Sequence, residues 1–398
     1  MANAILTPTM VTRKALMILH QKLNFVGSIN RQYDDQYAKK GAKIGSTLQI
    51  RVPNEFTVRT GRTLAAQDVN EQSVSLTMAT QKGVDVNFTS AELTLSLDDF
   101  AERILEPAMA VLAANIEADA FNMALDVYNT VNNVGNAATL RTLLTGRKLL
   151  TDSLTPTSNR ALILNTQDNL DLVDGLKGLF QDSSTIADQY REGLVGLTAG
   201  FGKIYENTLL PSQQTGTALS ATTYTVNGAV TANGSSSVVV ASGSTTFKKG
   251  DVITFAGTNR VHPETKADTG MLQQFVVTAD YAGGAGTLSI SPAIYTSTGR
   301  QNVVSTGIAN GAAITKVGGA SAVYKPSLAF HRDAFAFVTA DLEMPEGVDF
   351  SAREVYDGLS MRVVRQYDIT NDAFPCRIDV LYGYKAIRAQ LAARLLSN

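Results

Sequence analysis

The chain has little of the chemistry that most enzymes and metal proteins use. Among its 398 residues are one cysteine, three histidines and no tryptophan. A single cysteine, Cys376, excludes an intrachain disulfide. His20, His262 and His331 are far apart and show no metal-binding spacing. We therefore expect neither a disulfide framework nor a metal centre.

Charge is also scarce. Charged residues make up 18% of the chain and the formal net charge is -2. Tight nucleic-acid binding depends on clustered lysines and arginines, so this balance argues against it. A surface of hydroxyls, amides and glycine suits being covered by neighbouring subunits. We therefore do not expect a protein that binds nucleic acid tightly.

Long apolar runs are missing as well. The first residues lack a basic segment followed by an apolar one, and no apolar run reaches about 18 residues. These absences predict a soluble protein made in a cytoplasm. A chain of this length exceeds the usual size of a single core, so two or three structural units are expected.

Patterns in the first 90 residues predict an arm and a hairpin. Residues 1–46 combine a short amphipathic helix with a polar stretch, and we interpret them as an N-terminal arm. Residues 47–90 form an extended hairpin loop, whose strand-like runs lie at 47–52, 73–80 and 84–88. About twenty residues with few apolar side chains separate the first two runs, which indicates a functional or protruding loop.

This loop is the candidate site of contact between subunits. Its charged residues are Arg59, Arg62, Asp68 and Glu71. An exposed loop of this length has little reason to be ordered unless a partner orders it. We expect the two arginines to donate to carboxylates of a neighbouring subunit.

Residues 91–135 are predicted to contain one long helix, with a linker from residue 129 to 136 after it. Ser96 with Asp99 three residues later is typical of a helix start. Apolar residues then keep helical spacing from 100 to 127, which predicts a rod of roughly 45 Å. Pro107 lies inside this series and predicts a kink.

Residues 136–216 predict an α/β unit, with helices near 138–151 and 167–180 around a strand at 160–165. Residues 217–320 are rich in Gly, Ser, Thr and Val, with recurring turn signals, and predict an inserted antiparallel barrel or sandwich. Its candidate core residues are Phe247, Val252, Ile253, Phe255, Phe275 and Val277.

Residues 321–398 return to the flanking body. Strands are predicted at 328–331, 360–367 and 377–382, and a closing helix at 385–396. Arg388 and Arg394 would complement the negative end of that helix.

No catalytic constellation emerges from the remaining candidates. His331 precedes Arg332 and Asp333, but the segment around Ser360 lacks the closing glycine of a nucleophile elbow. Cys376 alternates with apolar residues, which favours a place in the core. We expect no catalytic residue, no cofactor and no enzymatic activity.

Several phrases resemble the coat proteins of P22-type bacteriophages. Two of them lie in the inserted segment, at Phe247–Gly257 and Leu272–Val277. The others follow in family order along the chain, at Leu112–Glu117, Asn122–Ala124, Gly202–Asn207, Tyr324–Ala336, Arg365–Asp368 and Pro375–Gly383. The resemblance is diffuse and covers most of the chain.

The resemblance implies the α+β HK97-type capsid fold, with an N-arm, an extended β-hairpin loop, a long spine helix, an axial α/β domain and an inserted antiparallel β-barrel domain. It implies a major capsid protein whose hexamers and pentamers form the icosahedral head shell of a tailed phage. Scaffolding protein and portal would be the assembly partners, in the cytoplasm of a bacterial host. The shell would enclose double-stranded DNA without sequence-specific binding, and no membrane would be involved.

Two other classes stay open at this point. An encapsulin-like compartment shell, or another structural phage protein, would lack neighbouring genes for terminase, portal and scaffold. An enzyme would need a polar constellation that the sequence does not present.

Overall fold

The computed structural model describes residues 8–32, 46–64, 66–67, 71–88, 104–176, 199–219, 224–241, 243–370 and 374–397. Its helices are α1 (Pro8–Lys22), α2 (Phe25–Ser28), α3 (Glu106–Phe121), α4 (Leu140–Asp152) and α5 (Thr166–Leu176). Short 3₁₀ segments lie at Asn122–Asp126, Arg332–Ala334 and Ala389–Leu391.

The strands are β1 (Asn30–Gln32), β2 (Ser46–Val52), β3 (Gln72–Met78), β4 (Thr80–Phe88), β5 (Thr130–Asn132), β6 (Arg160–Leu164), β7 (Lys203–Glu206), β8 (Gln213–Gln214), β9 (Tyr224–Thr225), β10 (Ser235–Val240), β11 (Val252–Val261), β12 (Asp268–Val277), β13 (Gly286–Ile294), β14 (Ala313–Lys316), β15 (Val323–Tyr324), β16 (Ser327–His331), β17 (Phe335–Ala340), β18 (Phe350–Tyr356), β19 (Leu359–Arg365), β20 (Phe374–Ala386) and β21 (Ala392–Leu396). The mixed α+β class predicted from the sequence is confirmed.

Contacts divide the chain into two compact units. The first contains residues 1–51, 73–120 and 335–387, and the second contains residues 52–72, 121–334 and 388–398. Each unit therefore combines segments that are distant in sequence.

The first unit is built on a six-stranded sheet. Its order is β1-β17-β20-β19-β18, and β4 also pairs with β20. The alternation predicted for the second strand-like run is confirmed, because Leu76 and Met78 are buried while Ser75 and Thr77 are exposed. Cys376 is buried in β20 together with Ile378, as its apolar alternation predicted.

Helix α1 packs on strands β18 and β19 of this unit. Its buried side chains include Val11, Leu16 and Leu19, which recur at helical spacing. The helix predicted near the N-terminus is thus confirmed. Residues 1–7 and 33–45 of the predicted arm lie outside the described residues.

Helix α3 lies within the long helix predicted from the sequence. It spans 16 residues, or about 24 Å, and continues as the 3₁₀ segment Asn122–Asp126. Pro107 lies in its first turn, directly after a π-helical step at residues 104–105. Proline is well tolerated in the first turn of an α-helix. The predicted start at Ser96 lies outside the described residues, and the kink stays a prediction.

Acidic side chains of α3 bind other parts of the first unit. The Glu117 carboxylate is buried and accepts a hydrogen bond from the backbone N–H of Phe25 at 2.6 Å. The Asp119 carboxylate accepts from the Tyr382 hydroxyl at 2.5 Å and pairs with Lys82 at 2.7 Å. Burial and the neighbouring carboxylate raise the pKa of Tyr382, so its hydroxyl stays a donor.

The second unit contains a five-stranded sheet in the order β5-β21-β16-β6-β7. Helix α4 begins after Thr139, which forms a reciprocal capping box with Thr142. The predicted α/β unit is confirmed by α4, β6 and α5, while residues 177–180 of the predicted second helix lie outside the described residues.

The predicted closing helix at 385–396 is wrong. Strand β20 continues to residue 386, a 3₁₀ turn follows, and β21 then pairs with both β16 and β5. All five residues of β21 are buried. Neighbouring strands satisfy its backbone groups on both sides, and this overrides the helix propensity of Ala, Leu and Arg. Arg394 therefore does not complement a helix end.

The second unit also contains a six-stranded antiparallel sheet in the order β10-β13-β12-β11-β14-β9. A bridge between Val226 and Val240 connects its first and last strands, so the sheet is nearly closed. Five of the six predicted core residues form one buried cluster, namely Phe247, Ile253, Phe255, Phe275 and Val277. Val252 is buried outside that cluster, because it points to the opposite face from Ile253.

A buried polar network surrounds Arg394. Its guanidinium donates to the Gln213 side-chain oxygen at 2.8 Å and to the Gly250 carbonyl at 2.9 Å. Asp251 accepts from the Gly216 backbone N–H at 3.0 Å, and from the Gln213 amide at 3.3 Å. The network ties the nearly closed sheet to β21 within the second unit.

Across the described ranges, none of the helices is long and apolar enough to span a membrane.

Candidate functional site

The loop between residues 53 and 72 is the candidate site, and β2 and β3 lead into and out of it. These strands form a two-stranded sheet. The Gln49 side chain accepts from Ser73 and Ser75 hydroxyls at 3.0 and 3.1 Å, and its amide donates to Ser75 at 2.9 Å. These polar pairs lie on the exposed face and add to the register that the buried Leu76 and Met78 set on the other face. The predicted hairpin is confirmed.

The loop is held by hydrogen bonds within itself. The Gln67 side-chain oxygen accepts from the Thr57 backbone N–H at 2.9 Å and from its hydroxyl at 3.0 Å. The Gln67 amide donates back to the Thr57 carbonyl at 2.6 Å. One side chain therefore joins the two halves of the loop across ten positions.

The predicted contact residues that the structure describes are exposed but differ in their hydrogen bonds. Arg59 is exposed, but its guanidinium donates to the backbone carbonyls of Gly61 and Thr63 and so organises the loop tip. Arg62 and Glu71 are exposed. Asp68 lies outside the described residues. Of the two arginines, Arg62 is the one without a hydrogen-bond or ion-pair partner in the described part of the chain.

Apolar side chains are the feature that the sequence interpretation missed. Phe56, Val58 and Leu64 are 55%, 93% and 82% exposed. The alternation of Phe56 and Val58 with polar residues was the available signal. Exposed apolar groups clustered on one loop are typical of a surface that a partner covers.

The base of the loop contacts the segment that follows β13. Arg300 donates to the Gln72 side-chain oxygen at 3.0 Å. Gly299 packs directly on the backbone of Glu55, where a β-carbon at Gly299 would collide with the Glu55 carbonyl oxygen. Both ends of the loop are thus held by one turn of the second unit.

The candidates for chemistry are engaged in structural roles. Burial lowers the pKa of His331, whose ring accepts from the Asp333 backbone N–H at 3.2 Å. The Ser360 hydroxyl donates to Asp341 at 2.5 Å. Burial raises the pKa of Cys376 to about 11, so its thiol stays protonated at neutral pH.

In the portion of the chain that the structure describes, no three His, Cys, Asp or Glu side chains lie close enough together to hold a metal ion.

Comparison with solved structures finds several capsids. A chain of Mycobacterium phage Che8 has 14% identity and a TM-score of 0.47, covering 94% of this chain and 90% of that one. The mature capsid of bacteriophage PhiM1 has 11% identity and a TM-score of 0.44, covering 94% and 87%. A virus-like particle from Pyrococcus furiosus has 8% identity and a TM-score of 0.39, covering 97% of each chain.

Sequence comparison gives the family. No curated protein matches the chain. The family model described as P22 coat protein, gene protein 5, matches residues 30–394, which is nearly the whole length. The chain therefore belongs to the P22 coat protein family and is a major capsid protein that forms a phage head shell.

Proposed function

We propose that many copies of this chain assemble as hexamers and pentamers into the icosahedral head shell of a tailed double-stranded DNA phage. The family match over residues 30–394 carries this proposal. The net charge of -2 supports a shell that encloses DNA without sequence-specific binding. Scaffolding protein and portal would assist assembly in the cytoplasm of a bacterial host. The chain would act as a structural protein without catalytic activity.

The proposed domain organisation follows the HK97-type fold. Residues 1–46 would form the N-arm, 47–90 the extended loop, 91–135 the spine helix and 136–216 the first part of the axial domain. Residues 217–320 would form an inserted β-barrel domain, and 321–398 would complete the axial and peripheral parts. The nearly closed six-stranded sheet supports the barrel assignment.

Within this shell, the loop between residues 53 and 72 would contact a second copy of the chain. Val58 and Leu64 supply apolar groups, and Arg62 supplies an exposed cation. The internal bonds of Gln67 and Arg59 would present these groups in a fixed conformation. Such preorganisation lowers the entropy cost of association. Arg59, Asp68 and Glu71 stay predicted contact residues of the same loop.

Negative-stain electron microscopy of the purified protein, alone and with its scaffold, tests the proposal. Closed particles of uniform diameter are expected. A strictly monomeric species at high concentration with scaffold present would contradict shell assembly. Uniform particles that form around a protein cargo, in a phage that lacks portal and scaffold, would point to a compartment shell instead.

A further inference from the structure

A cavity of about 210 Å³ lies within the second unit. By the same kind of measure, a site for one water needs about 10–15 Å³, so this cavity has room for a small molecule. Its lining includes three cationic side chains, Arg260, Lys266 and Arg300. Glu55 is the one carboxylate among the described residues that line it. The ionisable groups around the cavity therefore carry a net positive charge.

Arg260 has only neutral hydrogen-bond partners in the described ranges. Its guanidinium donates to the Ser153 hydroxyl at 2.8 Å and to the Asp152 backbone carbonyl at 3.1 Å. One edge of the guanidinium is thereby fixed at the end of helix α4. A fixed guanidinium presents its remaining N–H groups in a defined direction, which suits an oxyanion.

Lys266 and Arg300 also donate hydrogen bonds to neutral groups. The Lys266 ammonium donates to the backbone carbonyl of Gly299. Arg300 donates to the Tyr295 hydroxyl at 2.8 Å and lies over the Tyr295 ring, 4.6 Å from its centre. Among the described residues, neither forms an ion pair. Burial lowers the pKa of Lys266, whereas the Glu55 carboxylate nearby raises it.

Tyr128 adds a neutral donor to the lining. The residue is buried, and burial raises the pKa of its phenol to about 12. Its hydroxyl has no hydrogen-bond partner in the part of the chain that the structure covers. Because Tyr128 lines the cavity, its hydroxyl can donate a hydrogen bond to a molecule bound there.

We propose that this cavity binds a small tetrahedral oxyanion such as inorganic phosphate, with Arg260, Lys266 and Arg300 as cationic donors. Glu55 would act as the internal competitor, because its carboxylate shares the cavity. Arg300 also holds Gln72, so an anion would stiffen the turn that anchors the loop between residues 53 and 72. This site lies in the single chain and does not depend on shell formation.

Isothermal titration calorimetry of the unassembled chain with inorganic phosphate tests the site, with ionic strength held constant by chloride. Saturable binding with one site per chain is expected. Lys266→Met should weaken it about tenfold or more, since it removes a charge-assisted hydrogen bond. Arg300→Met serves as a second variant, because Arg300 is exposed and its loss leaves the core intact. Arg332→Met, an exposed arginine outside the cavity, should bind as the parent does.

Glu55→Gln provides the opposite test. Removing the competing carboxylate should tighten phosphate binding about three- to tenfold. Absence of saturable binding by both the parent and Glu55→Gln would overturn the proposal, as would equal binding by parent, Lys266→Met and Arg300→Met. An oligonucleotide without terminal phosphates provides a further arm. If it binds while phosphate does not, the cavity is not a site for a free oxyanion.

Discussion

Replacing Arg394 by methionine is the sharpest test of how the second unit is held together. Arg394 is fully buried in strand β21, yet burial lowers its pKa only to about 10. The guanidinium is therefore charged at neutral pH, and its hydrogen bonds to Gln213 and Gly250 offset the cost of burial. Methionine keeps much of the volume but offers no donor.

The expected loss follows from these contacts. A hydrogen bond from a charged group contributes about 1.5–3 kcal/mol, and Arg394 makes two, at 2.8 and 2.9 Å. The substitution also removes one of the two cations, Lys316 and Arg394, that lower the pKa of the buried Asp251 carboxyl. Removing one partner from a buried charged network costs about 3–5 kcal/mol. We expect the free energy of unfolding to fall by about 4 kcal/mol.

Urea denaturation of the unassembled chain, followed by far-ultraviolet circular dichroism, measures this loss. Circular dichroism suits the protein because it contains no tryptophan. Hydrogen exchange of residues 392–396 should also accelerate. Arg332→Met is the matched control and should change stability by at most about 0.5 kcal/mol. A loss below about 1 kcal/mol for Arg394→Met, with exchange unchanged, would refute the role given to the network.

Three further predictions concern other parts of the chain. Residues 217–320 expressed alone should fold, because their strands enclose their own apolar cluster. Dispersed amide resonances in an NMR spectrum would support this, and a random-coil spectrum would contradict it. Changing Arg59 and Arg62 together to Glu should slow shell formation in low salt, with partial recovery in high salt. Light scattering at two salt concentrations measures this, and assembly at the parental rate in low salt would show that these arginines are not interface residues. Gly299→Val should lower the free energy of unfolding by about 1–3 kcal/mol through its collision at the loop base, whereas Gly27→Val, in open space, serves as the control in the same denaturation assay.

The sequence predicted those elements whose burial alternates or keeps helical spacing. Strand β3 buries Leu76 and Met78 and exposes the hydroxyls between them, so a period of two was visible. Helix α4 carries its own start signal in Thr139. In such segments local chemistry and tertiary packing favour the same structure, which makes the pattern reliable.

The closing segment shows why the rest could not be predicted. Strand β21 is buried on both faces, so its side chains show no alternation. A short apolar run of this kind does not distinguish a strand from a helix. Its partners β5 and β16 come from positions far away in the chain. The role of Arg394 depends on Gln213 and Gly250, which no local pattern connects to it.

The contact at the base of the loop could not be predicted from the sequence either. Gly299 and Glu55 meet across more than half of the sequence, and a single glycine carries no signal of its neighbour. The sequence did predict the hairpin and the exposure of Arg59, Arg62 and Glu71. It did not predict that Arg59 donates to the backbone of its own loop.

The exposed apolar side chains of the loop, rather than its arginines, should dominate the proposed contact between subunits. An exposed ion pair contributes about 0–1 kcal/mol and is screened by salt. Burying a Val or Leu side chain contributes about 1.5–3 kcal/mol, and Val58 and Leu64 are almost fully exposed in the single chain. A shell repeats each interface many times, so this difference per contact is multiplied.

Changing Val58 and Leu64 together to Glu should therefore impair shell formation more than reversing Arg59 and Arg62. High salt should recover little of the loss, because screening does not restore a buried apolar contact. Stability of the unassembled chain should change by at most about 0.5 kcal/mol, since both side chains are exposed. Light scattering in low and high salt compares the two double variants directly. If both double variants lose shell formation equally and high salt restores both to the same extent, the contact is assigned to the arginines. If the Val58 and Leu64 variant lowers the stability of the single chain, those side chains lie in its core.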